Sequence, residues 1–286
     1  MTETPWSEIW AETRQRLDEA GLETAALETR WLIEDVAGIT DPTSGESVAQ
    51  RHLAKLDAMV ARRLRGEPIQ YVLGHWSFRE LDLLVDRRVL IPRPETEVVT
   101  QVALDELTDL DEPRAVDLGT GSGAIAISLV REHRTAQVWA TDRSAEAVAV
   151  ARANAAGAGG RAAARLRVVE GDWFDALPVE LRGGLDLVVS NPPYVSDDED
   201  LPAAVADWEP GSALRAGPGG WRDLEHLLGE APAWLAPGGA LVLEHAPQQA
   251  EPLRRRADEH GYVEVTTVDD LAGRPRALRC RMPRSS

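Results

Sequence analysis

The sequence predicts an α/β protein in two parts: a small N-terminal helical bundle, then a larger domain on a seven-stranded, mostly parallel sheet covered by helices. Three observations carry this expectation. Apolar residues recur at helical spacing through the first 66 residues. From Tyr71 to Ile91 the period shortens, and after Asp111 short apolar runs alternate with helical stretches. A chain of 286 residues with 43% hydrophobic content can fill such a core.

In the first part, Trp6, Ile9, Trp10, Thr13 and Leu17 form one stripe. Ala25, Leu32 and Val36 form a second, and Leu53, Leu56, Val60 and Leu64 a third. Breaks at Gly21, from Gly38 to Gly45 and at Gly66-Glu67-Pro68 separate the helices. Trp6, Trp10 and Trp31 read as bundle core rather than a ligand box, since bundles bury such faces by default. "SFRELDLLVDRRVLI" carries Phe78, Leu81, Leu83, Val85 and Val89 with polar residues between them, as a short strand pair does. The expected organisation is a helical domain over 1–70, a β-hairpin linker over 71–91 and the sheet domain over 92–286. In "IPRPETE", Pro92 and Pro94 hold the chain extended before Glu95 opens a helix running to about Leu107.

Five runs then read as parallel strands: "RAVDLG" (114–119), "QVWATD" (137–142), "LRVVEGD" (166–172), "LDLVVS" (185–190) and "GALVLEHA" (239–246). Most are followed by a loop and a helical stretch, the pattern of a parallel sheet covered on both faces. "YVEVTTVDDLAGRPRALRCRMP" (262–283) reads as two strands around Gly273-Arg274-Pro275, an antiparallel pair that ends the sheet.

Composition narrows the function classes. No apolar run approaches the roughly 18 to 20 residues needed to cross a bilayer. Residues Met1 to Trp6 lack the basic and apolar regions of a secretory leader, so the expected compartment is the cytoplasm, without membrane association. Cys280 is the single cysteine and the histidines show no ligand spacing, which argues against a disulfide and a metal. The net charge is −17, and Lys55 is the only lysine among 31 basic residues. That balance opposes a phosphate-tracking surface, so no direct nucleic-acid partner is expected. The surplus carboxylates either merely keep the surface soluble or accommodate a basic protein partner.

"DLGTGSGAIAISL" follows the first strand of the sheet and opens a helix. Gly119, Gly121 and Gly123 let the backbone turn tightly and a ligand approach closely, with Thr120 and Ser122 in the same loop. Gly119, Gly121 and Ala124 also satisfy a dinucleotide fingerprint, with Asp142 downstream to bind a ribose, so a nicotinamide cofactor stays open here. Two features favour S-adenosylmethionine. Asp117, just before the glycines, would face a pyrophosphate unfavourably but suits a cationic amino-acid moiety. "GDWF" puts Asp172 and Trp173 where an adenine amine can be bonded and its ring stacked. Taken singly, Asp142 could be a helix N-cap and Trp173 a core residue.

"VVSNPPYVSDDED" ends the fourth parallel run in Asn191-Pro192-Pro193-Tyr194. Neither proline has an N–H to continue a ladder or start a helix, so carbonyls there stay free to face a pocket. The Asn191 side-chain oxygen and the Pro192 carbonyl offer two acceptors to a planar NH2 group, and Tyr194 offers a flat face to hold it. Adenine and glutamine both present such a group.

Here the sequence resembles a known family. Asn-Pro-Pro-Tyr occurs in methyltransferases that alkylate a nitrogen conjugated to a π system. "GEPIQYVLGHWSFRELDLLVDRRVLIPRPETEVV", "DLGTGSGAIAISL", "GDWFDAL", "VVSNPPYV" and Glu209-Pro210 with Ala213-Leu214 are similar in order and spacing to the peptide-chain release factor N5-glutamine methyltransferases, the HemK/PrmC family. The likeness covers nearly the whole chain. It implies a Rossmann-like class I S-adenosylmethionine-dependent methyltransferase domain, with an N-terminal domain that docks substrate. The implied substrate is the glutamine of the Gly-Gly-Gln motif of class 1 release factors, and the chain is expected to act as a monomer. Asn191, Pro192 and Tyr194 would be catalytic; Asn191, Pro192, Pro193, Tyr194, Arg93 and Glu95 would bind substrate, Arg93 and Glu95 closing over the pocket. Asp117, the 119–123 loop, Asp142, Asp172, Trp173 and Asn191 would hold the cofactor. The alternatives are an adenine-N6 DNA or RNA methyltransferase and a ribosomal-protein glutamine methyltransferase. The latter usually carries Pro-Arg-Ser-Pro where this chain has Pro92-Arg93-Pro94. Asp197, Asp198, Glu199 and Asp200 would either steer a basic substrate loop or form a solvated turn. Ala246-Pro247 and Trp221 depart from the family's usual residues and bear on packing.

Overall fold

A computed structural model describes residues 4–41, 43 and 46–284. Gly45, the far end of the second expected break, and Met1 to Glu3 of the N-terminal stretch lie outside the described residues. The chain divides into two compact units, Met1–His75 with Pro202–Trp208, and Trp76–Leu201 with Glu209–Ser286.

The first unit contains α1 (Trp6–Glu19), α2 (Ala25–Ala37), α3 (Gln50–Leu64) and the short α4 (Ile69–Leu73). Each long helix buries one stripe: Trp6, Ile9, Thr13 and Leu17; Leu32, Ile33 and Val36; Leu56, Met59 and Val60. The expected core is narrower than the sequence stripes suggest. Trp10, Trp31 and Leu53 are only half-buried at its margin, and Leu64, in the last turn of α3, is exposed. A charged pair lies inside the bundle instead. Glu28 is 3% exposed; Arg63 Nε donates to its Oε2 at 2.6 Å, Arg63 Nη2 to its Oε1 at 3.1 Å, and Thr24 Oγ1 to Oε1 at 2.7 Å. Such a bidentate pair offsets the cost of desolvating both groups only while both partners are present.

In the second unit, β2 (Leu81–Leu84) pairs with β1 (His75–Phe78), whose first residue belongs to the first unit. The hairpin is fastened to the sheet domain's own elements. Asn154 accepts from the Leu84 N–H at 2.7 Å and donates to its carbonyl at 3.0 Å. Next come α5 (Pro94–Leu107), β3 (Arg114–Leu118), α6 (Ala124–Glu132), β4 (Gln137–Asp142), α7 (Ala145–Gly157), α8 (Gly160–Ala163), β5 (Leu166–Glu170) and β6 (Leu185–Ser190). After α9 (Ala203–Ala206), which falls in the first unit, follow α10 (Arg222–Glu230), β7 (Leu235–Glu244), α11 (Ala250–Glu259), β8 (Val263–Asp269) and β9 (Pro275–Arg281). α5 starts with Pro94 at its first position and Glu95 and Glu97 in its first turn, where the helix dipole favours carboxylates.

The seven strands are ordered β5-β4-β3-β6-β7-β9-β8. The first four pairings are parallel, and β9 pairs antiparallel with both β7 and β8, so the C-terminal pair ends the sheet as expected. β3, β4 and β5 run outward one way, then β6 returns to the other side of β3. That reversal opens a crevice at the carboxyl ends of β3 and β6. The register pairs Leu118 with Ser190, so Gly119 and Asn191 leave the sheet side by side.

Replacing Glu28 with Ala is expected to destabilise the helical unit by about 3 kcal/mol, by stranding Arg63 and Thr24 in the bundle. Urea denaturation of the parent and Glu28→Ala chains measures this, and a difference below about 1 kcal/mol would show that the pair contributes little.

Candidate functional site

The crevice holds a cleft lined, among others, by Asp117, Gly119, Thr120, Gly121, Ser122, Asp142, Asp172, Trp173, Asn191 and Pro193. Ten of the residues picked out in the sequence thus converge from the ends of four strands.

Asp117, the penultimate residue of β3, is fully buried. Its Oδ2 accepts from Thr120 Oγ1 at 2.6 Å and from the Ala126 N–H at 3.1 Å, while Oδ1 is buried with no partner among the described residues. Burial, with a smaller contribution from the nearby Asp142, pushes this carboxyl up to about 7. An orphaned carboxylate oxygen at the edge of a cleft is a seat for a cationic group. Asp142 is held rigidly, its Oδ2 accepting from the Gly121 N–H and its Oδ1 from the Ser144 N–H, both at 2.9 Å. The N-cap of α7 is Ser144, whose hydroxyl accepts from the Ala147 N–H, so Asp142 is left with lone pairs for a ligand.

Trp173 takes the left-handed region at φ 43°, an unusual conformation for a bulky residue, and its carbonyl accepts from Thr141 Oγ1 at 2.9 Å. Its half-buried ring lies against Gly119, where a Cβ would come within 3.1 Å of it. A side chain at 119 would therefore push the indole out of place, besides being strained at φ +69°. Gly123 lies off the cleft and caps α6.

The Asn191-Pro192-Pro193-Tyr194 segment is held by Thr96, which also lines the cleft, and by buried groups off it. Asn191 Nδ2 donates to Thr96 Oγ1 at 3.1 Å, and Thr96 Oγ1 donates to Glu244 Oε2 at 2.7 Å. Tyr194 does not line the cleft; its hydroxyl donates to Glu244 Oε1 at 3.1 Å, and burial beside that carboxylate raises the phenol well above its ordinary value. Pro192 is buried and also off the cleft. Gln249 Nε2 donates to the Tyr194 carbonyl at 3.2 Å and to that of Gly220 at 3.0 Å. Gly220 packs so closely that a Cβ would fall 2.0 Å from the Tyr194 oxygen.

Arg93 and Glu95, expected over the pocket, are engaged elsewhere. Arg93 Nη2 donates to Glu209, whose other oxygen accepts from the Ile91 N–H at 3.2 Å, and Glu95 pairs with Arg274 at 3.0 Å. Each finds an opposite charge brought near by a distant part of the chain. Asp197 to Asp200 are exposed, and Arg215 Nη1 donates to the carbonyls of Ser196 and Asp197 at 2.8 Å. Thr96, Glu209, Glu244 and Gln249 were not foreseen as site residues. Glu209 lay within the resembling Glu-Pro segment, and the other three are polar residues that turn out buried. Among the described residues, no cluster of three or more His, Cys, Asp or Glu side chains could hold a metal, and no helix is long and apolar enough to cross a membrane.

Comparisons with known proteins agree with this architecture. Residues 93–208 match the family model of the methyltransferase small domain, and residues 8–74 that of the PrmC N-terminal domain. The chain is 42% identical over 257 residues to the release factor glutamine methyltransferase of Bordetella pertussis, covering 86% of this chain and 91% of that one. It is 36% identical to the release factor glutamine methyltransferase of Geobacter sulfurreducens over 99% of this chain and 100% of the other. A solved methyltransferase from Pyrococcus furiosus has the same fold, at a TM-score of 0.52 and 20% identity over 78% of this chain and 97% of its own.

The raised Asp117 carboxyl has a stability signature. Its folded value lies above the ordinary 3.8, so its stabilising contribution is full below 3.8 and is lost as pH rises through about 7. Asn at this position keeps the acceptor for Thr120 and removes the titration. Asp117→Asn is expected to gain on the parent by a few kcal/mol between those pH values in ligand-free urea unfolding. A parallel pair of stability-versus-pH curves would refute the assignment.

Proposed function

This chain belongs to the release factor glutamine methyltransferases, and from that premise we propose that it transfers a methyl group from S-adenosylmethionine to the side-chain nitrogen N5 of the glutamine in the Gly-Gly-Gln motif of class 1 release factors. The observation that carries the reading is the Asn191 amide, anchored through Nδ2 and lining a cleft that it shares with Asp117, whose buried Oδ1 has no partner among the described residues.

The residues present fit the cofactor. Asp117 Oδ1 suits its ammonium, Asp142 the ribose hydroxyls, Asp172 and Trp173 the adenine, and the 119–122 loop admits backbone approach. When bound, S-adenosylmethionine supplies an electrophilic methyl on a sulfonium. The protein's task is then the nucleophile. An amide nitrogen is weakly nucleophilic because its lone pair is delocalised into the carbonyl. Asn191 Oδ1, on the residue of this segment that lines the cleft beside Pro193, accepts from its N–H, holds the nitrogen in place and favours positive charge as it develops. No strong base is needed beforehand, since the proton becomes acidic once the new bond forms. Positioning of this kind supplies up to roughly 7 to 11 kcal/mol.

Tyr194 supports the loop that carries this acceptor, through its hydrogen bond to Glu244. Pro193 lines the cleft beside Asn191 as a wall for the substrate amide. Asp197, Asp198, Glu199 and Asp200 present exposed negative charge to a basic substrate loop. The helical unit, with its own core, serves as a docking module for another part of the release factor.

Asn191→Ala is expected to keep its fold and its affinity for S-adenosylhomocysteine while turnover falls by about 10²-fold or more. Incubation with labelled S-adenosylmethionine and purified release factors, followed by mass spectrometry of the modified residue, checks both substrate and mechanism. Methyl on another residue, or equal single-turnover rates for mutant and parent, would overturn the reading.

A further inference from the structure

Glu244 closes β7 with its side chain 1% exposed and away from the cleft, yet it sits one hydroxyl from Asn191. The hydrogen bonds around it have a fixed sense. A carboxylate has no proton to give, so Thr96 and Tyr194 must both donate to it, at 2.7 Å to Oε2 and 3.1 Å to Oε1. Thr96 has a single hydroxyl proton. Once that proton points at Glu244, the hydroxyl can only accept from Asn191, so the Asn191 amide must turn Nδ2 toward Thr96, as observed at 3.1 Å. Its Oδ1, the only acceptor on the side chain, is then left for the cleft.

We propose that ionised Glu244 is the positioning residue of the site: through the Thr96 hydroxyl it sets which end of the Asn191 amide faces the substrate nitrogen. The inference rests on the glutamine-methylation reading for what that amide does, but not for how it is oriented. If Glu244 carries a proton it can donate to Thr96. The threonine proton is then released to bond Asn191 Oδ1, and the amide can present Nδ2 to the cleft. A donor there repels the two N–H groups of a substrate amide.

The groups that bear on the charge of Glu244 come from several elements. On β9, the Arg276 guanidinium favours the ionised form and reaches the Tyr194 hydroxyl at 3.5 Å; it pairs in turn with Asp270, whose Oδ2 is 3.5 Å from Nη2. On α5, Glu95 opposes ionisation, and burial opposes it most. Next along the chain, His245 bonds the Ala246 carbonyl through Nδ1, and burial lowers its affinity for a proton, which keeps a second cation away. The balance leaves Glu244 raised to about 7, so the relay reverses as pH falls through neutrality.

Two experiments decide it. The sequence contains two asparagines, Asn154 and Asn191, so protein labelled with [15N]asparagine shows two side-chain amide groups. Asn154 is held by Leu84 and the Ser122 carbonyl and serves as the internal reference. In the parent, the Asn191 amide signals are expected to move with a midpoint near neutral pH while those of Asn154 stay; in Glu244→Gln the Asn191 shift disappears. In methyl transfer to a Gly-Gly-Gln peptide, Glu244→Gln and Thr96→Val should each lower kcat by about 10²-fold, with KM and S-adenosylhomocysteine affinity near the parent's. The double variant should fall no further, and Thr96→Ser, which keeps the hydroxyl, should restore most of the rate. The acidic limb of the parent's kcat profile should vanish in Glu244→Gln. Asn191 signals indifferent to Glu244, or additive losses in the double variant, would overturn the proposal. A parent inactive on purified release factors as well as on the peptide would sink the methylation reading alone, because the amide titration is read without substrate.

Discussion

Parallel pairing of β3 with β6 is the constraint on which the site depends. Once Leu118 stands opposite Ser190, the two chains leave the sheet together, one as a glycine loop and the other as Asn191. Ser190 Oγ donates to the Leu118 carbonyl at 2.6 Å and stitches the pair at the last rung. A slip by one residue would turn Asp117 and the strand apolar residues onto the opposite faces and separate the two loops. The strand order supplies the rest, because β6 returns past β3 and the reversal leaves a gap where the sheet's helices diverge.

Two buried carboxyls flank that gap, and they solve related problems differently. Asp117 on β3 and Glu244 on β7 are both desolvated and both raised to about 7. Each accepts a threonine hydroxyl, Thr120 at 2.6 Å and Thr96 at 2.7 Å. Asp117 keeps one oxygen unpartnered among the described residues, whereas Glu244 has both oxygens engaged. The first arrangement leaves a charge for a ligand to satisfy. The second uses up the charge internally and passes only a direction outward, through the order of hydrogen bonds. Holding such groups in a low-dielectric interior costs stability that an apolar core would keep, and this is the usual bargain at functional sites.

Much of this was legible in the residues. The five apolar runs and the closing pair became the strands of the sheet, since β-branched and aliphatic runs buried on both faces leave little room for another reading. Asp117, the 119–122 loop, Asp142, Asp172, Trp173 and Asn191 converge because each sits at the carboxyl end of a strand, and parallel strands bring those ends to one edge. Arg93 and Glu95 do not line the cleft and are each paired with a residue distant in sequence. Their charge beside a proline-rich turn suggested a lid, but Glu209 and Arg274, distant in sequence, arrive close enough to claim them. Thr96 read as one more residue of a helix first turn and Glu244 as the end of an apolar run.

The sequence by itself determined which stretches become strands, where a ligand loop must bend and which side chain can offer acceptors to an amide. Those are local matters of periodicity, φ and donor count. Only the tertiary structure decided the partners. Thr96 and Glu244 stand 148 positions apart, as the hydrogen bond between them does not reveal in either local segment. A polar side chain's role depends on what faces it after burial, and long-range strand register, not local pattern, sets that.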